Sequence, residues 1–170
     1  VNAEQERQQQ AATIKNMVYF DSLTGLPNRQ HLNEWLTKEL DTARQQQLRG
    51  VVMFIDLDDL KMLKDTCGHS FGDKIIIAAG KRIVGVIGNK GFVARVGGDE
   101  FVVVLSGRYQ REAIEDIAHK IGKALGKSQR FFGKNFHLAA SIGIALYPEN
   151  GDTTEEIIKK FSIYEYSDSL

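Results

Sequence analysis

The sequence predicts a single α+β domain of two layers, with a mostly antiparallel sheet backed by helices on one face. Three observations carry this expectation. Helical and strand-like patterns alternate in the order helix, strand, helix, hairpin, helix, strand, helix. Two strands are separated only by Gly97-Gly98-Asp99-Glu100, which makes them a hairpin and therefore antiparallel. The chain has 170 residues, and a domain of that size buries roughly two-thirds of the surface its unfolded form exposes, enough for one core without staples.

The elements follow from local pattern. Residues Val1 to Lys15 are rich in Gln, Glu and Ala and hold neither Gly nor Pro, so they read as a polar helix with a sparse apolar seam at Ile14, Met17 and Val18. Two roles fit it: a solvated tail, or a connecting helix that pairs with a partner helix or continues into an upstream domain. The domain organisation expected is a connecting helix over residues 1–20 and the α+β domain over 21–170. The stretch from Asp21 to Arg29 breaks the first helix, with Gly25 and Pro27 as punctuation and Asn28 placed to cap the next helix. Leu32, Trp35, Leu36 and Leu40 then recur at three- and four-residue spacing, an apolar stripe that ends at Leu48-Arg49-Gly50. Val51 to Ile55 is a short, continuous, largely β-branched run, the pattern of a buried strand, and it leads straight into Asp56-Leu57-Asp58-Asp59.

A helix is expected over Gly72 to Val86, with Ile75, Ile76, Ala79, Ile83 and Val86 facing inward. Phe92 to Val96 and Phe101 to Leu105 are the hairpin strands. Arg111 to Leu125 is amphipathic through Ile114, Ile117, Ala118, Ile121 and Leu125. Phe136 to Leu146 reads as a strand in which Gly143 marks a bulge or a close backbone approach. Thr153 or Thr154 caps a last helix that carries Glu155 and Glu156 in its first turn, where the helix dipole favours them. This succession is close to the ferredoxin-like arrangement.

Composition narrows the function. The 22 Lys and Arg balance 22 Asp and Glu for a net charge of +0, and the pI is about 7.1. No global field draws nucleic acid or an acidic membrane, which argues against a DNA-coating role and leaves no nucleic-acid partner expected. Cys67 is the only cysteine, so no intrachain disulfide can form and a cysteine zinc site is disfavoured; a reduced, cytoplasmic setting fits. No apolar run reaches the roughly 18 residues needed to cross a bilayer, and no secretory pattern opens the chain. This domain is therefore expected to make no membrane contact. The chain begins on Val1 rather than methionine, which reads as a piece of a longer protein whose sensory or membrane parts lie outside it; its place is then the cytoplasm, or the cytoplasmic side of a membrane-anchored protein.

The chemistry concentrates at two strand ends. Asp56 stands where the buried strand stops, and Asp58 follows at period two; Asp99 and Glu100 stand at the hairpin tip. If those strands are neighbours, Asp56 and Asp99 converge, and two carboxylates with a backbone carbonyl make an oxygen-rich site for Mg²⁺. Such an ion keeps several waters and bridges to substrate phosphates, which points to a nucleotide. Gly97 and Gly98 leave room for a ligand to approach the backbone. The plainer alternative makes Asp56 a turn former or helix cap and Gly-Gly-Asp an ordinary hairpin composition. A third polar cluster, Gly68-His69-Ser70-Phe71-Gly72-Asp73, adds weight to the functional reading, but spacing alone goes no further.

Arg95-Val96-Gly97-Gly98-Asp99-Glu100-Phe101 resembles the signature of GGDEF domains, the diguanylate cyclases of bacterial signalling. Asp21 to Arg29 is similar to that family's D-x-LTGLPNR opening motif. Phe54 to Asp73 resembles its F-x-D-x-D-x-x-K…D-x-x-GH-x-x-GD block, and Ser141 to Pro148 its SIGIA-x-YP strand. Four motifs in order cover roughly Asp21 to Lys160. The resemblance implies a nucleotidyl-cyclase, palm-like version of the predicted fold, and condensation of two GTP into cyclic di-guanylate and two pyrophosphates across a homodimer. It implies that Asp56 and Asp99, helped by the Leu57 carbonyl, bind Mg²⁺ or Mn²⁺, and that Asp99 or Glu100 helps deprotonate the attacking 3′-hydroxyl. Lys61 would lie near the phosphates, or else be a solvated helix-face lysine. Asp73 would accept from guanine N1 and N2, and His69 would lie near the base or serve in capping and packing. Gly97 and Gly98 are counted with the substrate-binding residues.

Three departures from the family pattern bear on function. Lys64 stands where the family has an asparagine that both donates to and accepts from guanine; lysine only donates, so it can reach O6 or N7 but brings charge to the base. Phe161 to Leu170 replaces the family's A-D-x-A-L-Y-x-A-K-like segment and basic tail, whose phosphate-side cations have no counterpart here. Gly88-Asn89-Lys90-Gly91 replaces the R-x-x-D product-inhibition motif, so no inhibition by product is expected at that position. The second expectation beside the cyclase is accordingly a degenerate domain that holds GTP and regulates a covalently linked neighbour, such as a sensory domain or a cyclic di-guanylate phosphodiesterase.

Overall fold

A computed structural model of the chain describes residues 2–131, 133–159 and 162–166. The elements run α1 (Ala3–Tyr19), α2 (Arg29–Gln46), β1 (Gly50–Leu57), α3 (Leu60–Cys67), α4 (His69–Ile87), β2 (Phe92–Gly97), β3 (Glu100–Ser106), α5 (Arg111–Gly126), β4 (Gln129–Phe131), β5 (Lys134–Phe136), β6 (Ala140–Tyr147), α6 (Thr154–Lys159) and β7 (Ser162–Tyr166). The main sheet has the order β2-β3-β1-β6-β7, and every neighbouring pair is antiparallel. β4 and β5 form a separate two-stranded ribbon.

The class and the antiparallel sheet are as the sequence predicts; the layering is corrected. Helices cover both faces of the sheet rather than one. Val51, Met53, Ile55 and Leu57 of β1 pack with Ile75, Ile76, Ala79 and Ile83 of α4 and Ile121 and Leu125 of α5. On the other face, Val52, Val102, Val104, Ala145 and Tyr147 pack with Leu32, Leu36, Leu40 and Ala43 of α2 and Ile157 of α6. The physical reason was present in β1 itself. A strand that alternates apolar and polar residues has one wet face, whereas the unbroken run Val51–Ile55 needs cover on both.

Several local expectations change. The stretch after Asp59 forms a separate helix, α3, because Gly68 at φ 92° breaks the path and lets α4 start at once on His69. Gln47 ends α2 in the left-handed conformation (φ 55°) that glycine usually supplies. Gly143 sits in an unbroken ladder opposite Phe54, so no bulge lies there, and the expected long strand divides into β5 and β6. The Thr153 hydroxyl, not that of Thr154, accepts from the Glu156 N–H at 3.2 Å and caps α6. Asn28 caps α2 as expected, its side-chain oxygen accepting from the His31 N–H at 3.0 Å. α1 buries no residue, and Ile14 and Met17 stay 61% and 77% exposed. Among the described residues no helix is long and apolar enough to cross a membrane.

Gly50 opens β1 against the ring of Tyr147, which is fully buried and donates its hydroxyl to Glu39 at 3.1 Å. A Cβ at Gly50 would overlap that ring. Gly50→Ala is therefore expected to cost about 1–3 kcal/mol through overpacking, read as a fall in Tm of several degrees with the fold retained.

Candidate functional site

The site is built where β1, β3 and β6 end together. In the ladder Asp56 lies opposite Glu100 on one side and Ser141 on the other. One residue further, the Leu57 N–H donates to the Asp99 carbonyl at 2.9 Å, which stitches the hairpin tip to the end of β1. The closing turn is Gly98-Asp99, flanked by the paired residues Gly97 and Glu100, so the two glycines are not themselves the two-residue turn. Asp58 is steadied separately: the Ser141 hydroxyl donates to its carboxylate at 3.0 Å, and its N–H donates to the Ala139 carbonyl at 2.9 Å. Asp59 then adopts the left-handed conformation (φ 59°), lifting the chain out of the sheet into α3. Aspartate is among the few side chains that visit this region readily.

The carboxylates of Asp56 and Asp99 meet here, and the electrostatics register it. Partial burial, then the negative charges of Asp99, Glu100 and Asp58, push Asp56 up from the ordinary carboxylate range to about 6. Arg29 makes a long ion pair at the edge of this cluster, its Nη2 at 4.0 Å from Glu100 Oε2, and both side chains are exposed. Among the described residues no three His, Cys, Asp or Glu side chains stand where they could jointly hold a metal. Two crowded carboxylates with open surroundings are nevertheless a donor set that Mg²⁺ accepts, since that ion takes one or two protein carboxylates and fills its octahedron with water and phosphate oxygens.

Two hollows border these acids. A groove of about 390 Å³ between α2 and the sheet is lined by Asp56, Glu100, Arg29, Phe54, Val96 and Ser141 among others. A shallower cleft on the α3 side is lined by Asp99, Asp59, Lys61 and Asp65. Of the residues singled out from sequence, Asp56, Leu57, Asp99, Glu100, Gly97, Gly98 and Lys61 are thus gathered around one end of the sheet. Lys64, His69 and Asp73 form a second group at the α3–α4 junction. The stem of Lys64 lies across Gly72, where a Cβ would collide with it, so that lysine covers the backbone next to Asp73. His69 and Asp73 are exposed in the first turns of α4. Above Gly98 the surface is open: a Cβ there would meet nothing within 4 Å.

Pattern reading passed over three residues that surround the turn. Arg95 Nη1 donates to both Asp21 carboxylate oxygens, at 2.9 and 3.1 Å, while its Nε and Nη2 donate to the Gly98 carbonyl at 3.3 and 3.0 Å. The side chains of Arg95 and Asp21 are only 15% and 17% exposed. Burial works against the Asp21 charge, but hydrogen bonds from Thr24 and Arg95 and the guanidinium charge outweigh it and hold the carboxyl below its usual range. Arg29 Nε donates to the Val96 carbonyl at 3.1 Å. No periodicity could have paired Asp21 with a residue 74 positions away; the only available signal was that charged residues inside both motifs had been given no task.

The family described as "Diguanylate cyclase, GGDEF domain" matches residues 18–167. The signaling protein YkoW of Bacillus subtilis is 36% identical over 155 residues, which is 91% of this chain and 19% of that protein. The bifunctional diguanylate cyclase/cyclic di-GMP phosphodiesterase MucR of Pseudomonas aeruginosa is 36% identical over 142 residues, 84% of this chain and 21% of that protein. The chain thus spans about a fifth of the length of these curated relatives. Among solved structures, the isolated GGDEF domain of TpbB from Pseudomonas aeruginosa superposes with a TM-score of 0.78 at 35% identity, covering 83% of each chain.

Proposed function

This chain belongs to the GGDEF domain family of diguanylate cyclases, and on that premise we propose that it condenses two GTP into cyclic di-guanylate and two pyrophosphates, in the cytoplasm, with two copies facing each other. The observation that carries the proposal is the meeting of Asp56 and Asp99 beside the open backbone of Gly98. Asp56, Asp99 and the Leu57 carbonyl would hold Mg²⁺ or Mn²⁺. A divalent ion there would neutralise phosphate charge and acidify the attacking 3′-hydroxyl. The chain's own share is positioning. The bare backbone at Gly97 and Gly98 gives the triphosphate a close approach, and Lys61 on the rim of the Asp99 cleft supplies a positive charge for it. Glu100, exposed and only loosely paired with Arg29, is available to take the hydroxyl proton. Asp73 accepts from the guanine edge, while Lys64 donates to O6 or N7 from across Gly72, with His69 at the margin. Each 3′-oxygen bonds to the α-phosphorus of the other GTP as the bond to the pyrophosphate oxygen breaks.

A second reading has a specific observation behind it. Lys64 in place of an asparagine, together with the Phe161–Leu170 segment, favours a domain that holds GTP without turnover and regulates a linked domain. The backbone of part of that segment pairs as β7 against β6, and the remainder lies outside the described residues.

Incubating the chain at high concentration with GTP and Mg²⁺ or Mn²⁺, then separating nucleotides by chromatography, decides between the two. Cyclic di-guanylate is the expected product; GTP that binds but stays intact moves the assignment to the regulatory module. In the same assay Lys64→Asn is expected to raise turnover or tighten GTP by about tenfold, because an acceptor for guanine is restored and a charge removed. No gain in either would show that Lys64 does not limit the base pocket.

A further inference from the structure

We propose that Arg95 is a positioning residue for Asp99, clamped by Asp21, and that this latch sets where the hairpin tip sits at the end of β1. The inference rests on the reading above that Asp99 carries the metal. Its physical basis is the turn itself. Gly97 and Gly98 have no side chains to restrain them, and the space above Gly98 is empty, so packing does not choose the turn's placement. A turn of this composition would wander unless something else held it.

Arg95 supplies the hold through the geometry of its fork. One edge of the guanidinium grips the Asp21 carboxylate and the other grips the Gly98 carbonyl. Only a planar, five-donor cation can serve both partners from one rigid plane; lysine cannot. The register shift between Arg95 and Gly97 leaves Val96 as an extra residue, the kind of bulge that re-aims a neighbouring side chain. Because both charged side chains are mostly withdrawn from solvent, the pair is screened far less than a surface ion pair.

The consequence for Asp99 is direct. Its preceding carbonyl, on Gly98, is held by Arg95, and its own carbonyl is held by the Leu57 N–H. The Asp99 backbone is therefore pinned on both sides, and its carboxylate is presented to Asp56 at one place. The far end of the latch is also fixed: the Arg95 N–H donates to the Pro27 carbonyl, and Asp21 takes two hydrogen bonds from Thr24. Asp21 lies two residues beyond the end of α1, so the helix and the tip share one clamp.

The Leu57 amide reports on the tip without needing any ligand. Amide hydrogen exchange is followed on the full chain for wild type, Arg95→Lys and the reversed pair Asp21→Arg/Arg95→Asp, with urea unfolding in parallel. Arg95→Lys is expected to speed exchange at Leu57 by about tenfold or more, while Val52 and Met53 in the middle of β1 keep their protection. The reversed pair is expected to recover stability by restoring opposite charges, yet to leave Leu57 fast, because a carboxylate would then face the Gly98 carbonyl. Unchanged Leu57 exchange in Arg95→Lys, acceleration spread evenly along β1, or Leu57 protection restored by the reversed pair would each overturn the proposal. If wild type turns over GTP, Arg95→Lys should lower kcat by about tenfold with KM little changed, the mark of misplaced catalytic groups. Absence of turnover in wild type would overturn the cyclase reading, while selective Leu57 exchange would still support the latch.

Discussion

Asp99→Asn is expected to lower Mg²⁺-dependent GTP turnover by about a thousandfold or more, since it removes one of only two carboxylates proposed to face the metal. The same change is expected to stabilise the metal-free protein above pH 6. Asp56 in the folded chain holds its proton up to about pH 6, against 3.8 for the ordinary group, and Asp99 is the foremost of the charges responsible. A carboxyl with a raised folded pKa disfavours folding fully above that folded value, and the penalty fades as pH falls through 6 toward 3.8. Removing Asp99 lightens the penalty only where Asp56 is ionised. Urea unfolding in EDTA at pH 8 and pH 5 reads this directly: the variant should gain on wild type at the higher pH, with the difference shrinking at the lower. Loss of Mn²⁺ affinity in titration calorimetry completes the test. A variant with wild-type metal affinity, or no more stable at pH 8, would remove Asp99 from the site.

Gly98→Val is expected to separate the fold from the site. The free protein has room for the new side chain, because a Cβ at Gly98 meets nothing within 4 Å. The turn does not depend on a left-handed glycine there either, since the positive-φ glycines of the described residues are elsewhere in the chain. Thermal stability should therefore change by no more than a few degrees. GTP binding should fall by about a hundredfold, because a branched side chain would fill the space through which the triphosphate approaches the backbone. Gly97 makes the contrast: a Cβ there would come within 3.1 Å of Glu100 Oε2, so Gly97→Val disturbs a neighbouring carboxylate as well as the approach. Retained GTP affinity in a folded Gly98→Val protein would mean the phosphates bind elsewhere.

Where the sequence was legible, the pattern is short-range. The stripe Leu32, Leu36, Leu40 on α2 and the Asn28 cap follow from one turn of helix and its first unpaired N–H groups. The hairpin follows from four residues. Features that depend on neighbouring elements are not legible in this way. The helix α3 was too short to show periodicity, and the β4–β5 ribbon is too short and polar to show alternation. The single-faced sheet was the one error the sequence itself could have prevented, because the unbroken run Val51–Ile55 already requires two covered faces.

The sequence by itself determined the class, the order of the main elements and the carboxylates around which the proposed chemistry turns, because each depends on residues a few positions apart. Only the tertiary structure decided that Asp56 meets Asp99, that Ser141 steadies Asp58, and that Arg95 joins Asp21 to the Gly98 carbonyl. It also decided that Lys64 lies across Gly72 rather than against the acids. These contacts join residues from 3 to 83 positions apart. Helical periodicity describes which side chains share one face of one element. It says nothing of which faces meet, and that is settled by sheet register and by the packing of helices on both sides of it.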